Sequence, residues 1–466
     1  YAHSNQAFDL ESDWVRGFES RKPLARISLD FSLKDFLYLY CDMQYGRNRF
    51  NLADDLFYAL ARYPGGIGAI IGPGDTSAVL AWHSAIYSAP FLTNILLEPR
   101  DFDYQWPKRA VASIGGPNWN LSLARDRLRW GNGHSGNFVV DDHSDYQDFA
   151  RLSAFSDNFK YEWLLVFLES SPAQGEVAEE KFRTLFAHRL EFRILKRISF
   201  AISENILYQN DVFDLKYLNP AFIYHNLNKR NMFNAIAHAE LDWNFARGWK
   251  LYAQGVMDQG RAPTESSIQA DATGWLAGLE YAGAAGAGLV TSSLEFALTS
   301  PLLYRRDGLD FIAYRKYYTN GDPTSPNYGY AGFIVNLDYL GYQYGGDAII
   351  LQWDGAYRVP GLGKASVRLF GMRHGEMDFY LSHNKDGVNA GFADYEGTTP
   401  SGGVVDEMLA ASLLVEGELP KVTAWIKPRF WLELGWVGRG TYTKSTGSRG
   451  GFEFDFQATA GVSISL

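Results

Sequence analysis

A transmembrane antiparallel β-barrel of about 18 strands, all-β apart from a small plug-like helical element near the amino terminus, is the fold class the sequence predicts. Three observations predict it. The stretch from Lys421 to Val437 alternates between an apolar and a polar face for far longer than a soluble strand, which runs about 5–6 residues. Other segments repeat that division, with charge on one face alone. Their connections alternate between tight turns and long loops.

In the long stretch, Val422, Ala424, Ile426, Pro428, Phe430, Leu432, Leu434 and Trp436 share one face. Lys421, Thr423, Trp425, Lys427, Arg429, Trp431 and Glu433 share the other. A period of two belongs to a strand. Both signs of charge opposite a wholly apolar face suit a wall with lipid outside and a wet lumen inside. Lys427, Arg429 and Glu433 are expected to act as lumen struts.

Composition agrees. The chain has 466 residues, enough for several soluble domains or one large barrel. Mean hydropathy is −0.21, which excludes a helical membrane protein. A barrel keeps such a value because every second strand residue faces water. The aromatic fraction of 15% has a physical cause in interfacial girdles. A net charge of −10 argues against nucleic acid as a partner, which demands a basic face. The single cysteine, Cys41, excludes an internal disulfide framework and a cysteine metal cluster. Export implies a leader removed before Tyr1.

Residues 1–106 are expected to hold strands and a plug-like segment continuous with the barrel, and residues 107–466 the main barrel. Ile27 to Leu33 and Asp35 to Tyr45 read as strands. Asn51 to Arg62 changes period to a helical stripe of Leu52, Leu56, Phe57 and Leu60, capped by Asn51. Such a helix could plug one mouth or simply cross a long connection. Thr76 to Leu97 lacks charge, yet Pro90, Asn94 and several serines favour strands or plug elements over a spanning helix.

Four strands give the clearest pattern. Leu190, Phe192 and Ile194 oppose Arg189, Glu191 and Arg193; Ile198, Phe200 and Ile202 oppose Arg197, Ser199 and Ser203. Ala235, Ala237, Ala239, Leu241, Trp243 and Phe245 oppose Asn234, His238, Glu240, Asp242 and Asn244; Trp249, Leu251, Ala253 and Met257 oppose Lys250, Tyr252, Gln254 and Asp258. A cation facing lipid at mid-membrane costs about 2–4 kcal/mol, so charge-free outer faces are expected. The charged faces read as a salt-bridged lumen network. Lys196, Phe245 to Gly248, Gly283 to Gly286 and Glu418 to Lys421 are expected as tight turns. Residues 210–230, 259–273, 374–407 and 438–450 are expected as long loops. Tyr330 to Leu337 reads as another wall strand, but Tyr318 to Tyr328 is long where a short turn is due. The last strand runs from Phe452 to Leu466.

Catalytic patterns are absent: there is no GxSxG, HExxH, P-loop or CxxC. The nine histidines show no metal-ligand spacing, so neither a metal nor a cofactor is expected. His238 beside Glu240 and Asp242 reads as a lumen histidine in a polar network. A hydrolase in the wall would need a Ser–His pair, and Ser203 and His188 cannot be placed together from sequence.

Residues 119–140 read WNLSLARDRLRWGNGHSGNFVV. Here the chain resembles the bacterial capsule-assembly (Wzi) family, on Arg125, Trp130, Gly131 and Gly133. A second block matches through Ser203, Glu204, Tyr208 and Asn219-Pro220. Ala124 and Asn132 depart from the pattern, where Gly and Pro are usual. The Trp-Gly motif and Asn219-Pro220 read as structural. The resemblance implies a non-catalytic outer-membrane barrel that holds capsular or other surface polysaccharide as a lectin. Its partners would be outer-membrane lipid and that glycan, with a monomer favoured. Sugar binding needs aromatic faces and planar hydrogen-bonding groups. The long loops offer Tyr208, Tyr217, Tyr224, His225 and Asn226, then Tyr380, His383 and Asn384. A porin and an adhesive surface protein are the competing readings.

Overall fold

The computed structural model describes residues 2–5, 23–47, 79–82, 91–93, 102–103, 107–143, 146–169, 181–221, 223–224, 233–259, 272–305, 309–319, 332–376, 399–419 and 426–465. No α-helix occurs among them. The helix expected at Asn51–Arg62 lies outside these residues. Within the uncharged stretch, the described pieces are two short strands.

The chain opens with β1 (Ala2–Asn5), β2 (Ala25–Leu33) and β3 (Leu37–Arg47). Three short strands follow, β4 (Val79–Trp82), β5 (Phe91–Thr93) and β6 (Phe102–Asp103). A meander then begins with β7 (Arg109–Gly116), β8 (Trp119–Asp126), β9 (Gln147–Phe155) and β10 (Phe159–Leu168). It continues with β11 (Phe182–Ile194), β12 (Ile198–Asn210), β13 (Phe233–Ala246) and β14 (Trp249–Gln259). Next come β15 (Ala272–Ala285), β16 (Gly288–Thr299), β17 (Ile312–Thr319) and β18 (Gly332–Tyr339). The chain closes with β19 (Ala348–Val359), β20 (Gly363–His374), β21 (Val404–Glu418), β22 (Lys427–Thr443), β23 (Ser448–Arg449) and β24 (Glu453–Ser465).

Twenty-one of these strands build one sheet, in which β6 and β23 are two-residue additions, and β4, β17 and β18 form a separate one. Antiparallel ladders run from β2 through β3 and β7, strand by strand, to β16. From β16 they pass directly to β19, then through β20, β21, β22 and β24 to β1 and β5. Among the described residues no ladder joins β2 to β5. The sheet is the wall of an antiparallel β-barrel of outer-membrane type.

Its two faces follow the alternation in the sequence. Outward positions such as Leu29, Trp275, Val462 and Ile464 are about three-fifths exposed, as a lipid-facing belt requires. Inward positions carry the polar residues, and many are buried.

Several expectations are corrected. The described part of the strand expected at Tyr330–Leu337 belongs to β18, which is not in the wall: β17 pairs with β18, and β18 runs parallel to β4. Residues 300–347 are therefore one long connection, and the apparent break in the alternation of loop lengths disappears. The strand expected at Lys421–Val437 is displaced to Lys427–Thr443, with Lys421–Trp425 outside the described residues. Its partner β21 ends at Glu418, so the connection between them is not the tight Glu418–Lys421 turn. The 438–450 loop is instead mostly strand, turning at 444–447.

Candidate functional site

Long connections gather at one end of the barrel, and three pieces from two of them turn inward. The first follows β8. At its end Arg125 makes a fork to Asp148 on β9, at 2.7 and 2.8 Å. Beyond this the chain folds into the lumen, and Leu128, Trp130, Phe138, Val139 and Val140 are all buried there. Gly131 makes the bend possible. Its φ of +108° is a left-handed conformation, and a Cβ would collide with Asn137 and Gln254. Gly133 likewise lies against the Gly136 carbonyl.

Glu295 on β16 holds the tip of this segment. It accepts the backbone N–H groups of His134 and Ser135, both at 2.7 Å, the Ser135 hydroxyl, and the Tyr252 hydroxyl at 2.8 Å. Gln254 on β14 donates to Asn137 at 2.7 Å, and Asn132 donates to Asp242 on β13 at 2.8 Å. The loop is thus tied to several neighbouring strands.

The second and third inward pieces come from residues 300–347. Tyr304 donates to the Phe138 carbonyl at 2.7 Å and accepts the Tyr342 N–H at 3.0 Å. Ser135 and Tyr342 share a hydrogen bond of 2.7 Å. Burial pushes the Tyr304 and Tyr342 hydroxyls well above the ordinary phenol range, so both stay protonated. Arg183 on β11 clamps the same region through the Ile312 and Asp310 carbonyls. Phe138, Tyr304, Phe311 and Tyr342 have no exposed surface, and together they fill the long-loop half of the lumen.

The inward charges differ in burial. Arg189 is buried and binds Glu240 through two nitrogens at 2.8 and 2.9 Å, with Glu191 at 2.7 Å. Lys250 pairs with Glu280 at 2.8 Å, and Asp258 accepts the Tyr304 N–H at 2.8 Å. Other inward arginines are more open to solvent: Arg26, at the long-loop end of β2, is 50% exposed, Arg368 48%, and Arg429, near the start of β22, 63%. Arg193, Arg197 and Lys427, expected in the network, lie at the tight-turn mouth and are exposed. Arg429 meets Glu418 at 3.3 Å, and Glu433 is half-buried.

His238 does not form a catalytic relay. Ser203 and Glu240 both approach its Nδ1, at 3.4 and 3.7 Å, whereas a triad needs nucleophile and acid on opposite nitrogens. His188 pairs across the sheet with Glu204, and Ser203 with Arg189, so His188 and Ser203 point to opposite faces.

The tyrosines expected to meet sugar are enclosed. Tyr208, Tyr217 and Tyr224 are at most 3% exposed and pack with Trp163, Phe186 and Phe233. Their cluster lies on the outer face of β10–β13, against the lipid side of the wall. Trp163 donates to the Tyr224 hydroxyl at 3.1 Å, and Tyr208 donates to the Val212 carbonyl at 2.7 Å. Asn219 caps the Ala221 N–H, and the Pro220 carbonyl accepts the Tyr161 hydroxyl. His225, Asn226, Tyr380, His383 and Asn384 lie outside the described residues. Glu204, which the second family block includes, shares parity with Ile202, so the expectation of a charge-free outer face fails at β12.

No protein-family model matches this chain, and no curated protein matches it. Among solved structures it is similar to Wzi of Escherichia coli, an outer-membrane protein involved in group 1 capsule assembly and a carbohydrate-binding β-barrel. That likeness has a TM-score of 0.52 at 10% identity, over 95% of this chain and 79% of the other. The chain also aligns with OccK2 (OpdF) of Pseudomonas aeruginosa, solved with glucuronate, at a TM-score of 0.42 and 12% identity, over 95% and 91%. At such identities the shared property is the fold. With the lipid-facing belt, it makes the chain a bacterial outer-membrane β-barrel.

Proposed function

We propose that this barrel binds capsular or other surface polysaccharide at the cell surface and carries no catalysis. The filled lumen is the observation that carries the reading. A diffusion channel needs a continuous aqueous path, and here three chain segments, latched by Glu295 and Tyr304, occupy the half nearest the long loops. Two further points support it: the resemblance of the Trp-Gly segment to the Wzi family, and the fold shared with a carbohydrate-binding barrel. The geometry of His238 supports a non-catalytic role. Raised strands on the long-loop side offer suitable chemistry, with Arg373 over the Tyr442 ring at 5.1 Å and Glu407 bound by Arg373 and Arg449.

A channel is the second reading, favoured by the exposed cations Arg193, Arg197 and Lys427 at the tight-turn mouth. Purified protein tested on an array of the host's own polysaccharides and in planar bilayers separates the two. Retained glycan with no large conductance is expected, and binding should fall in a variant lacking residues 383–399. A large steady conductance without glycan retention would overturn the proposal. Equal binding by the deletion variant would place the site elsewhere.

A further inference from the structure

Between β12 and β13 the chain does not rise away from the barrel. Residues 211–221 and 223–224 turn back over the outside of the wall. Phe213 stacks on Phe186 at 6.2 Å, Tyr217 lies edge-on to Phe233 at 5.3 Å, and the Tyr224 ring sits 4.3 Å from His188. The covered wall residues face outward, yet Leu165, Phe186 and Ile206 are at most 3% exposed.

Register gives the height of this strap. Phe186 lies in one row with Leu165, Ala150 and Leu123, and Leu123 is 62% exposed to the lipid side. His188 lies in one row with Glu204, Ala237 and Met257, and Met257 is 49% exposed. The strap is therefore flanked on both sides by the apolar belt. Irregular backbone at membrane depth survives only where its polar groups are satisfied. Here outward side chains of the wall do much of this: Tyr208 binds the Val212 carbonyl, Tyr161 the Pro220 carbonyl, and Glu204 the Tyr224 N–H at 3.0 Å. Within the strap, Asp214 accepts the Lys216 N–H and Tyr224 donates to the Tyr217 carbonyl. Its own outer surface carries three large apolar residues, Val212, Leu215 and Ile223, exposed at 68%, 71% and 65%, beside the exposed Asp211, Lys216 and Asn219. Lys216, ion-paired to Asp214, has a long stem that can carry its charge toward headgroups.

We infer that residues 211–221 and 223–224 form a lipid-facing strap, which replaces the wall as the contact with outer-leaflet acyl chains over β10–β13. Val212, Leu215 and Ile223 are its contact ridge. The cover explains how His188 and Glu204 are tolerated on an outward face.

Nitroxide labels test this. Val212→Cys, Leu215→Cys and Ile223→Cys are made in a Cys41→Ser background and reconstituted in phosphatidylcholine–phosphatidylglycerol vesicles. Met257→Cys serves as the lipid reference and Thr446→Cys as the aqueous one. Heat-modifiable gel migration confirms that each variant is folded. Labels at 215 and 223 should collide readily with oxygen and poorly with a nickel chelate, as at 257. Nickel access equal to that at 446 would overturn the inference, showing a strap in water. Protection from both reagents would overturn it as well, showing a protein cover instead of lipid.

Discussion

Arg189 illustrates how much a single inward side chain must balance. It is buried between Glu240, Glu191 and, at 3.6 Å, Glu162. Removing one member of a buried pair leaves an uncompensated charge, whereas removing both is far milder. Arg189→Met should lower stability by about 3–5 kcal/mol, and Arg189→Met with Glu240→Leu by much less. Guanidinium midpoints of the detergent-solubilised protein check this. Glu295→Ala is the second test at this scale. It leaves the His134 and Ser135 N–H groups and the Tyr252 hydroxyl without their acceptor, a cost of about 1–3 kcal/mol for a buried unsatisfied donor. It should also raise single-channel conductance above that of the parent, because the plug tip loses its latch. Unchanged midpoint and unchanged conductance together would show that Glu295 does not hold the loop. Sequence reading found Arg189 because its parity opposes Leu190 and Phe192. It could not find Glu295 as a latch, since that role depends on a loop more than a hundred residues away folding inward.

Among the elements, strands were the most legible. Period-two alternation is a local property, so β11 to β14 stand where their patterns put them, with Lys196 and Gly248 in the tight turns. Connections were less legible because length alone does not say whether a segment belongs to the wall. β18 has a good strand pattern, yet it pairs with β17 and β4, and only the direct β16–β19 ladder reveals this. The strap was hidden for a related reason. Tyr208, Tyr217 and Tyr224 look like sugar-stacking residues in a loop, but the same amphipathic rings serve equally well against an outer wall. Glu204 was the available clue, as an acid on an otherwise apolar face demands a cover. Truncating the centre of that cluster, Phe186→Ala, should cost about 3–5 kcal/mol. A fall in the temperature at which heat-modifiable migration is lost would register it. No fall would mean that the strap contributes little to holding the wall.

For the molecule as a whole, composition and alternation made the membrane barrel legible, and neither carried information on the ligand. Glycan recognition depends on a few side chains brought together at loop ends, a placement that no periodicity encodes. The filled long-loop half of the lumen was beyond sequence, because it depends on which long connections turn inward. It gives the barrel two unlike entrances. The tight-turn mouth presents the exposed cations Arg193, Arg197 and Lys427, which attract an anionic solute. From the long-loop side the same solute meets the inward-folded segments. Vesicles with the protein inserted in either sense would therefore gather small anions on opposite sides of the bilayer, and the side of retention would report orientation.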